Sequence, residues 1–234
     1  MKLKRAFNAA FGIEITKYPT DELDRRIKLI NHYHIDVILD IGANIGQYGS
    51  EMRNLGFKGE ILSFEPMKEA FGKLQKNAAN DTLWKVFHYS IGERDGQTTI
   101  NVAKNSVSSS LLENLPQLTD SAPEAAFVEK ETIEIRKLDS IFESLGLMGK
   151  NVYLKIDTQG YEEMVLQGAE QSLPHVTGIQ IEMSFIPSYE GAMTFDKMKA
   201  KLNHLGFHLL ALENGFYDKK TGKQLEIDGV FYRE

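Results

Sequence analysis

The sequence contains no cysteine. Disulfide bonds, thiolate catalysis and cysteine-ligated zinc are therefore excluded, and the lack suits a cytoplasmic protein. Basic residues are outnumbered: 27 lysines and arginines face 33 aspartates and glutamates, for a net charge of -6 and a pI near 5.6. That balance does not supply the broad basic surface that nucleic-acid binding needs. No stretch approaches the roughly 20 apolar residues that span a bilayer. There is no internal repeat, no low-complexity tract and no linker between domains. What remains is an ordinary globular composition, 42% hydrophobic and 26% charged, in a chain of 234 residues that can bury one sizeable core.

The first residues, Met1 to Phe11, mix Lys2, Lys4 and Arg5 with Phe7 and Phe11. The apolar part is short, is broken by Asn8 and is closed by Glu14, so it does not read as a signal peptide. A helix packed on the body is expected, with peripheral contact to a membrane surface as the alternative. Leu23, Ile27 and Ile30 share one face of a helix from Thr20 to His34, with Asp21 and Glu22 suited to its first turn. Residues 1–34 are read as an N-terminal helical cap and residues 35–234 as the main domain.

From Val37 the periodicity changes. Val37 to Ile41 is apolar apart from Asp40 and reads as a central parallel strand. Gly42 and Gly46 bracket a turn into a helix from about Gln47 to Leu55, with Tyr48, Met52 and Leu55 inward. Ile61 to Phe64 is the next strand, followed by Glu65 and Pro66, then by a helix whose stripe is Met67, Phe71, Leu74 and Ala78. Val86 to Ser90 reads as a third strand. Strand-helix alternation then pauses. Thr98 to Val102 alternates like a strand, Ala103 to Lys130 lacks periodicity, and Thr132 to Ile135 is placed to pair with the Thr98 strand. An irregular segment of that length is more often a lid or substrate loop than a connector, and this one holds Ser106, Ser108, Ser109 and Ser110. Alternation resumes with strands from Val152 to Asp157, Ile179 to Met183 and Phe207 to Leu212. Helices lie between them, and a last strand from Leu225 to Tyr232 returns as a hairpin. The pattern is a doubly wound α/β domain.

A strand, a glycine turn, a helix and an acid at the next strand's tip form a nucleotide-cradling unit. Asn44 stands where a dinucleotide fingerprint has its second glycine, so close approach of a pyrophosphate is disfavoured. A ligand without phosphate, such as S-adenosylmethionine, tolerates a side chain there. Glu65 is placed to accept hydrogen bonds from both ribose hydroxyls. Tyr89, Ser90 and Ile91 are placed to line an adenine pocket. Lys155 and Asp157 share one face of their strand, with Asp157 at its carboxyl end and Glu182 on the neighbouring rim. Those two carboxylates suit a general base with a partner, or two ligands of a hard divalent cation; helix capping is the structural alternative for Asp157. His88 is a lesser candidate base. Phe185, Tyr189 and Tyr161 are possible platforms for a sugar ring.

Six motifs occur in order: 40-DIGANIG-46, 63-SFEP-66, 108-SSSL-111, 154-LKIDTQGYE-162, 165-VLQGA-169 and 228-DGVF-231. Together they resemble the FkbM-type methyltransferases over roughly residues 35–233. The resemblance implies a Rossmann-like class I methyltransferase fold: seven strands in the order 3-2-1-4-5-7-6, mostly parallel, with the last strand antiparallel. It implies S-adenosylmethionine as cofactor, cofactor contacts at Gly42 and Glu65, and O-methylation of a hydroxyl on a sugar, glycolipid or secondary metabolite. A divalent cation is left open, with Asp157 and Glu182 its ligands if one binds. The full cofactor-binding set expected here is Asp40, Gly42, Asn44, Gly46, Tyr48, Glu65, Pro66, Ser90, Ile91 and Asp157; the catalytic set is Asp157, Glu182, Lys155 and His88. The alternatives are an NAD-dependent oxidoreductase and a non-catalytic binding protein on the same scaffold.

Overall fold

Apolar strands that alternate with amphipathic helices bury both strand faces only in a layered arrangement. The computed structural model describes residues 11–12 and 17–233, so the N-terminal segment, expected as a helix packed on the body with membrane contact as the alternative, lies, apart from Phe11, outside the described residues. The first described helix, α1 (Asp21–His32), is capped by Thr20, whose hydroxyl accepts from the Leu23 amide at 3.3 Å. The main-sheet strands are β1 (Val37–Ile41), β2 (Glu60–Phe64), β3 (Trp84–Phe87), β7 (Val152–Ile156), β8 (Val176–Ser184), β9 (His208–Asn214) and β10 (Glu226–Tyr232). They lie in the order β3-β2-β1-β7-β8-β10-β9. Only β10 runs antiparallel to its neighbours. Counting main-sheet strands alone, this is the expected 3-2-1-4-5-7-6 order.

Side chains alternate across the sheet with period two. Leu39, Ile41, Leu154 and Ile179 face one way, against Val165 and Leu166 of α6 (Glu162–Gln167) and Met198 and Leu202 of α7 (Phe195–His204). Ile38, Ile61, Tyr153 and Val230 face the other way. They meet Ile30 of α1, Met52 of α2 (Gln47–Asn54) and Leu74 of α3 (Lys68–Ala78). On this second face the apolar rows give way to polar ones near the carboxyl edge. Ser63, Asp40, Lys155 and Gln180 lie side by side in register across β2, β1, β7 and β8. Two residues further along the chain come Glu65, Gly42, Asp157 and Glu182, with Asp228 opposite Glu182. The strand order reverses between β1 and β7, so Gly42 and Asp157 stand where open α/β sheets bind ligands.

Part of the middle region departs from expectation. Ser90 and Ile91 do not continue β3. They form β4 in a second sheet, of order β4-β6-β5, with β5 (Gly96–Ala103) and β6 (Phe127–Arg136) antiparallel. The strand expected at Thr132 to Ile135 is therefore ten residues long. Its first half is largely solvated on both faces, so the period-two signal was absent there. Between β5 and β6 sits α4 (Pro116–Ser121), and α5 (Leu138–Ile141) follows β6.

Candidate active site

A cavity of about 340 Å³ opens at the carboxyl ends of β1, β2 and β7. That volume is within the range of small-molecule sites. At one end the chain turns tightly. Gly42 has φ +79°, and a Cβ there would stand 1.9 Å from the Asp157 carbonyl oxygen, so the loop and the end of β7 touch backbone to backbone. The amides of Gly42 and Ala43 both donate to the Phe64 carbonyl, at 3.2 and 3.0 Å. This pins the loop to the tip of β2. Glu65 follows. Its Oε2 accepts from the Asn44 amide and its Oε1 from the Met67 amide, both at 2.8 Å. Glu65 is 3% exposed. Burial pushes its carboxyl up to about 7, against the pull of those two amides. Each oxygen keeps acceptor capacity, which is what a vicinal diol requires. Phe64, Met67, Ile91 and Ile100 line the adjoining apolar wall, with Pro66 and Ser90 beside them.

Two expected cofactor residues do not reach the cavity. Asp40 is fully buried beneath it. Trp84 Nε1 donates to Ser63 Oγ at 3.0 Å, Ser63 Oγ donates to Asp40 Oδ2 at 3.1 Å, and Lys155 Nζ lies 3.5 Å from Asp40 Oδ1. Asp40 thus supports Lys155 from below. Burial raises its carboxyl, opposed by Lys155. Gly46 serves packing: a Cβ there would be 2.8 Å from Leu74 and 3.0 Å from Trp84.

At the other end Lys155 Nζ lies 3.3 Å from Asp157 Oδ2 and 5.7 Å from the centre of the Tyr48 ring. Burial opposes the lysine's charge, but the Asp157 and Asp40 carboxylates outweigh it, so the ammonium is held above its ordinary range. The side chain of Asp157 is 40% exposed. It does not cap a helix. The helix that follows has no side-chain cap, and the loop before it is tied by Glu162, whose Oε1 accepts from the amides of Thr158 (2.9 Å) and Gly160 (3.1 Å) and from the Thr158 hydroxyl (3.1 Å). Asp157 is thereby left free to face the cavity.

Glu182 does not line the cavity. It accepts from Gln159 Nε2 at 2.9 Å, and that same nitrogen donates to Asp157 Oδ1 at 2.9 Å. The expected pair of cation ligands is therefore bridged by an amide. Among the described residues there is no group of three or more histidine, aspartate and glutamate side chains arranged to hold a metal ion. Burial, then Asp157, raises the Glu182 carboxyl above its usual range. His88 is exposed and stacks on Phe71, 4.4 Å between ring centres, because β3 ends at Phe87 and the chain turns toward α3. It does not line the cavity. Of the three aromatic platforms, only Tyr161 lines the cavity; its hydroxyl donates to Glu93 at 2.5 Å. Tyr189 is 1% exposed, and Phe185 stacks on Phe195.

Some lining residues, Arg26 and Gln180 among them, carried no sequence signal, and others lay in stretches singled out without a stated role. Arg26 of α1 reaches Glu51 and Glu213, each at 2.5 Å. Gln180 receives the Tyr48 hydroxyl at 3.0 Å and donates to Asp228 at 2.9 Å. Burial and then Asp157 push the Asp228 carboxyl up to about 6. Ser106, Val107 and Ser109 close another side, with Ser106 Oγ 3.4 Å from Asn44 Nδ2. No helix among the described residues is long and apolar enough to cross a membrane.

The sequence pattern of the Methyltransferase FkbM domain matches residues 40–209. The 2-O-methyltransferase NoeI of Sinorhizobium fredii (strain NBRC 101917 / NGR234) is 26% identical over 163 residues, which is 67% of this chain and 67% of that protein. Among solved structures, an S-adenosylmethionine-dependent methyltransferase from Clostridium acetobutylicum ATCC 824 has 10% identity and a TM-score of 0.48, with 99% of this chain and 98% of that one covered. TehB from Haemophilus influenzae has 9% identity and a TM-score of 0.49, with 99% and 67% covered. The family match spans most of the chain and sets aside both the dehydrogenase and the non-catalytic alternatives. The chain belongs to the FkbM methyltransferase family and is an S-adenosylmethionine-dependent methyltransferase.

Proposed function

We propose that the chain methylates a hydroxyl oxygen of a sugar, glycolipid or secondary metabolite, with the cofactor's ribose at Glu65 and the acceptor hydroxyl at Asp157. The observation that carries this reading is the placement of Asp157, at the cavity's edge and held on both oxygens without being used as a helix cap. S-adenosylmethionine supplies an electrophilic methyl group on a sulfonium. The residues present suit it: Glu65 offers two acceptor oxygens to a diol, and Ile91, Ile100 and Met67 offer an apolar slot to a base.

An alcohol is a weak nucleophile near neutral pH, so proton removal during transfer matters. Asp157 receives that proton as the new C–O bond forms and the S–C bond breaks. Lys155 fixes Oδ2 from one side. Positioning supplies most of the rest, because the displacement is in line and the reacting atoms must be aligned. Transfer to oxygen is favoured by the likeness to NoeI, which is named a 2-O-methyltransferase.

The test is a screen with methyl-labelled S-adenosylmethionine over nucleotide sugars, glycolipids and oligosaccharides, with and without Mg²⁺. Label is expected in an ether-linked O-methyl group of a sugar-containing acceptor. Label appearing only on nitrogen or sulfur would overturn the reading.

A further inference from the structure

We propose that Gln159 is a positioning residue: its side-chain amide bridges Asp157 and Glu182 and couples the orientation of Asp157 to the 106–110 segment. This rests on the reading of Asp157 as the group that receives the acceptor's proton.

The amide has two N–H bonds and a carbonyl, and all are used. Nε2 donates to Asp157 Oδ1 and to Glu182 Oε2, each at 2.9 Å. Oε1 accepts from the Tyr189 hydroxyl at 2.7 Å. The reversed amide would put its carbonyl oxygen between two carboxylates, so the orientation follows from that side of the network. The backbone is held as well. Gln159 has φ +56°, a region that residues with a Cβ seldom occupy. Ser110 Oγ donates to its carbonyl at 2.6 Å, and the flanking amides of Thr158 and Gly160 are tied to Glu162. Tyr189 is fixed in turn. A Cβ on Gly160 would lie 2.8 Å from Tyr189 Cβ, and the Ser108 carbonyl lies 3.1 Å from the tyrosine hydroxyl.

The bridge answers a problem in the acid row. Asp157 stands at a strand end with its side chain 40% exposed, and its other close partner is Lys155 at 3.3 Å. Glu182 is on the adjacent strand and repels Asp157 as a like-charged neighbour. An amide between them gives each acid a donor and keeps Asp157 Oδ1 in one place. Because Ser108 and Ser110 contact Tyr189 and Gln159, seating of the 106–110 segment and alignment of Asp157 are one event.

Three variants separate a donor role from a space-filling one. Gln159→Met keeps the length and loses both donors. Gln159→Glu keeps the shape and the acceptor but brings no N–H. Tyr189→Phe removes only the hydroxyl that orders the amide. With the acceptor found in the screen, Gln159→Met is expected to lower kcat about 100-fold while acceptor KM and S-adenosylhomocysteine affinity stay within about threefold. Gln159→Glu is expected to be no better, and Tyr189→Phe to lose only a few-fold. A Gln159→Met kcat within threefold of wild type would overturn the proposal. An acceptor-free measurement reads the bridge directly. In the wild-type complex with S-adenosylhomocysteine, both side-chain amide protons of Gln159 should exchange slowly by NMR, and Asp157→Ala should speed one of them at least tenfold. Exchange of both at the rate of a free amide would also overturn it. If Asp157→Asn instead retains full turnover, the role given to Asp157 fails, while the exchange measurement still judges the bridge.

Discussion

The two ends of the cavity are built by different means. At the end proposed to hold the cofactor, Glu65 is held by main-chain amides of Asn44 and Met67, and the loop carrying Asn44 is held by the Phe64 carbonyl. All of these residues fall between Asp40 and Met67. At the end proposed to hold the acceptor, Asp157 is held by side chains, Lys155 and Gln159, and its surroundings come from distant parts of the chain: Arg26, Ser106, Gln180 and Asp228. Main-chain donors are available to any sequence that makes the turn. Side-chain donors have to be specified one residue at a time. We expect the Glu65 end, proposed to hold the cofactor, to accept variation around a fixed backbone, and the Asp157 end, proposed to hold the acceptor, to be the tunable one. Arg26 and Asp228 also lie outside the 40–209 stretch that matches the family, so part of the acceptor wall belongs to elements flanking it.

If the ends are separable, single changes should strike one without the other. Asp157→Asn should lower turnover by about 10² to 10³ while cofactor affinity stays within about threefold. Parallel loss of both, measured by labelled transfer and by calorimetry, would merge the two ends. Arg26→Ala removes the closest cation from Glu213, whose side chain is 1% exposed, and should cost about 3–5 kcal/mol. That corresponds to a melting temperature lower by about 10 °C, read by thermal denaturation. An unchanged melting temperature would mean that the acceptor wall does not depend on α1.

The pH dependence of cofactor binding sharpens the comparison with a smaller effect. Glu65 has its carboxyl raised from the ordinary 4.5 to about 7 by burial. The sign follows from linkage: the stability this group contributes is fully present below about 4.5 and is lost as pH rises toward 7. The ionised form is the better acceptor for ribose hydroxyls. S-adenosylhomocysteine affinity should therefore rise roughly tenfold from pH 6 to pH 8 and then level off. Glu65→Gln should flatten that rise; a profile unchanged in Glu65→Gln would assign the titration to another group.

Much of the cofactor end was legible in the sequence because its determinants are local. A strand apolar but for Asp40, a glycine turn and an acid at the next strand tip are read within one window. Gly46 was misjudged because a glycine demanded by Leu74 and Trp84 looks the same as one demanded by a ligand. His88 was misjudged because the strand was carried to Ser90, when it ends at Phe87 and Ser90 joins another sheet. Arg26 was invisible, and Asp228 stood in a quoted motif without a role, for a different reason. Their roles arise from tertiary pairing of α1 and β10 with the sheet edge, which periodicity does not encode. Gln159 lay within a motif already singled out, but its role rests on pairing with Asp157 and Glu182 that the motif does not spell out; the Thr158 and Gly160 amides donate to Glu162 on either side of it.

The central claim, that Glu65 anchors the cofactor from a main-chain cradle, is tested most directly by calorimetric titration of S-adenosylhomocysteine into Glu65→Ala at pH 8. The predicted result is binding at least about 100-fold weaker than wild type, since two charge-assisted hydrogen bonds are lost from a buried site. Affinity within about threefold of wild type would contradict the account.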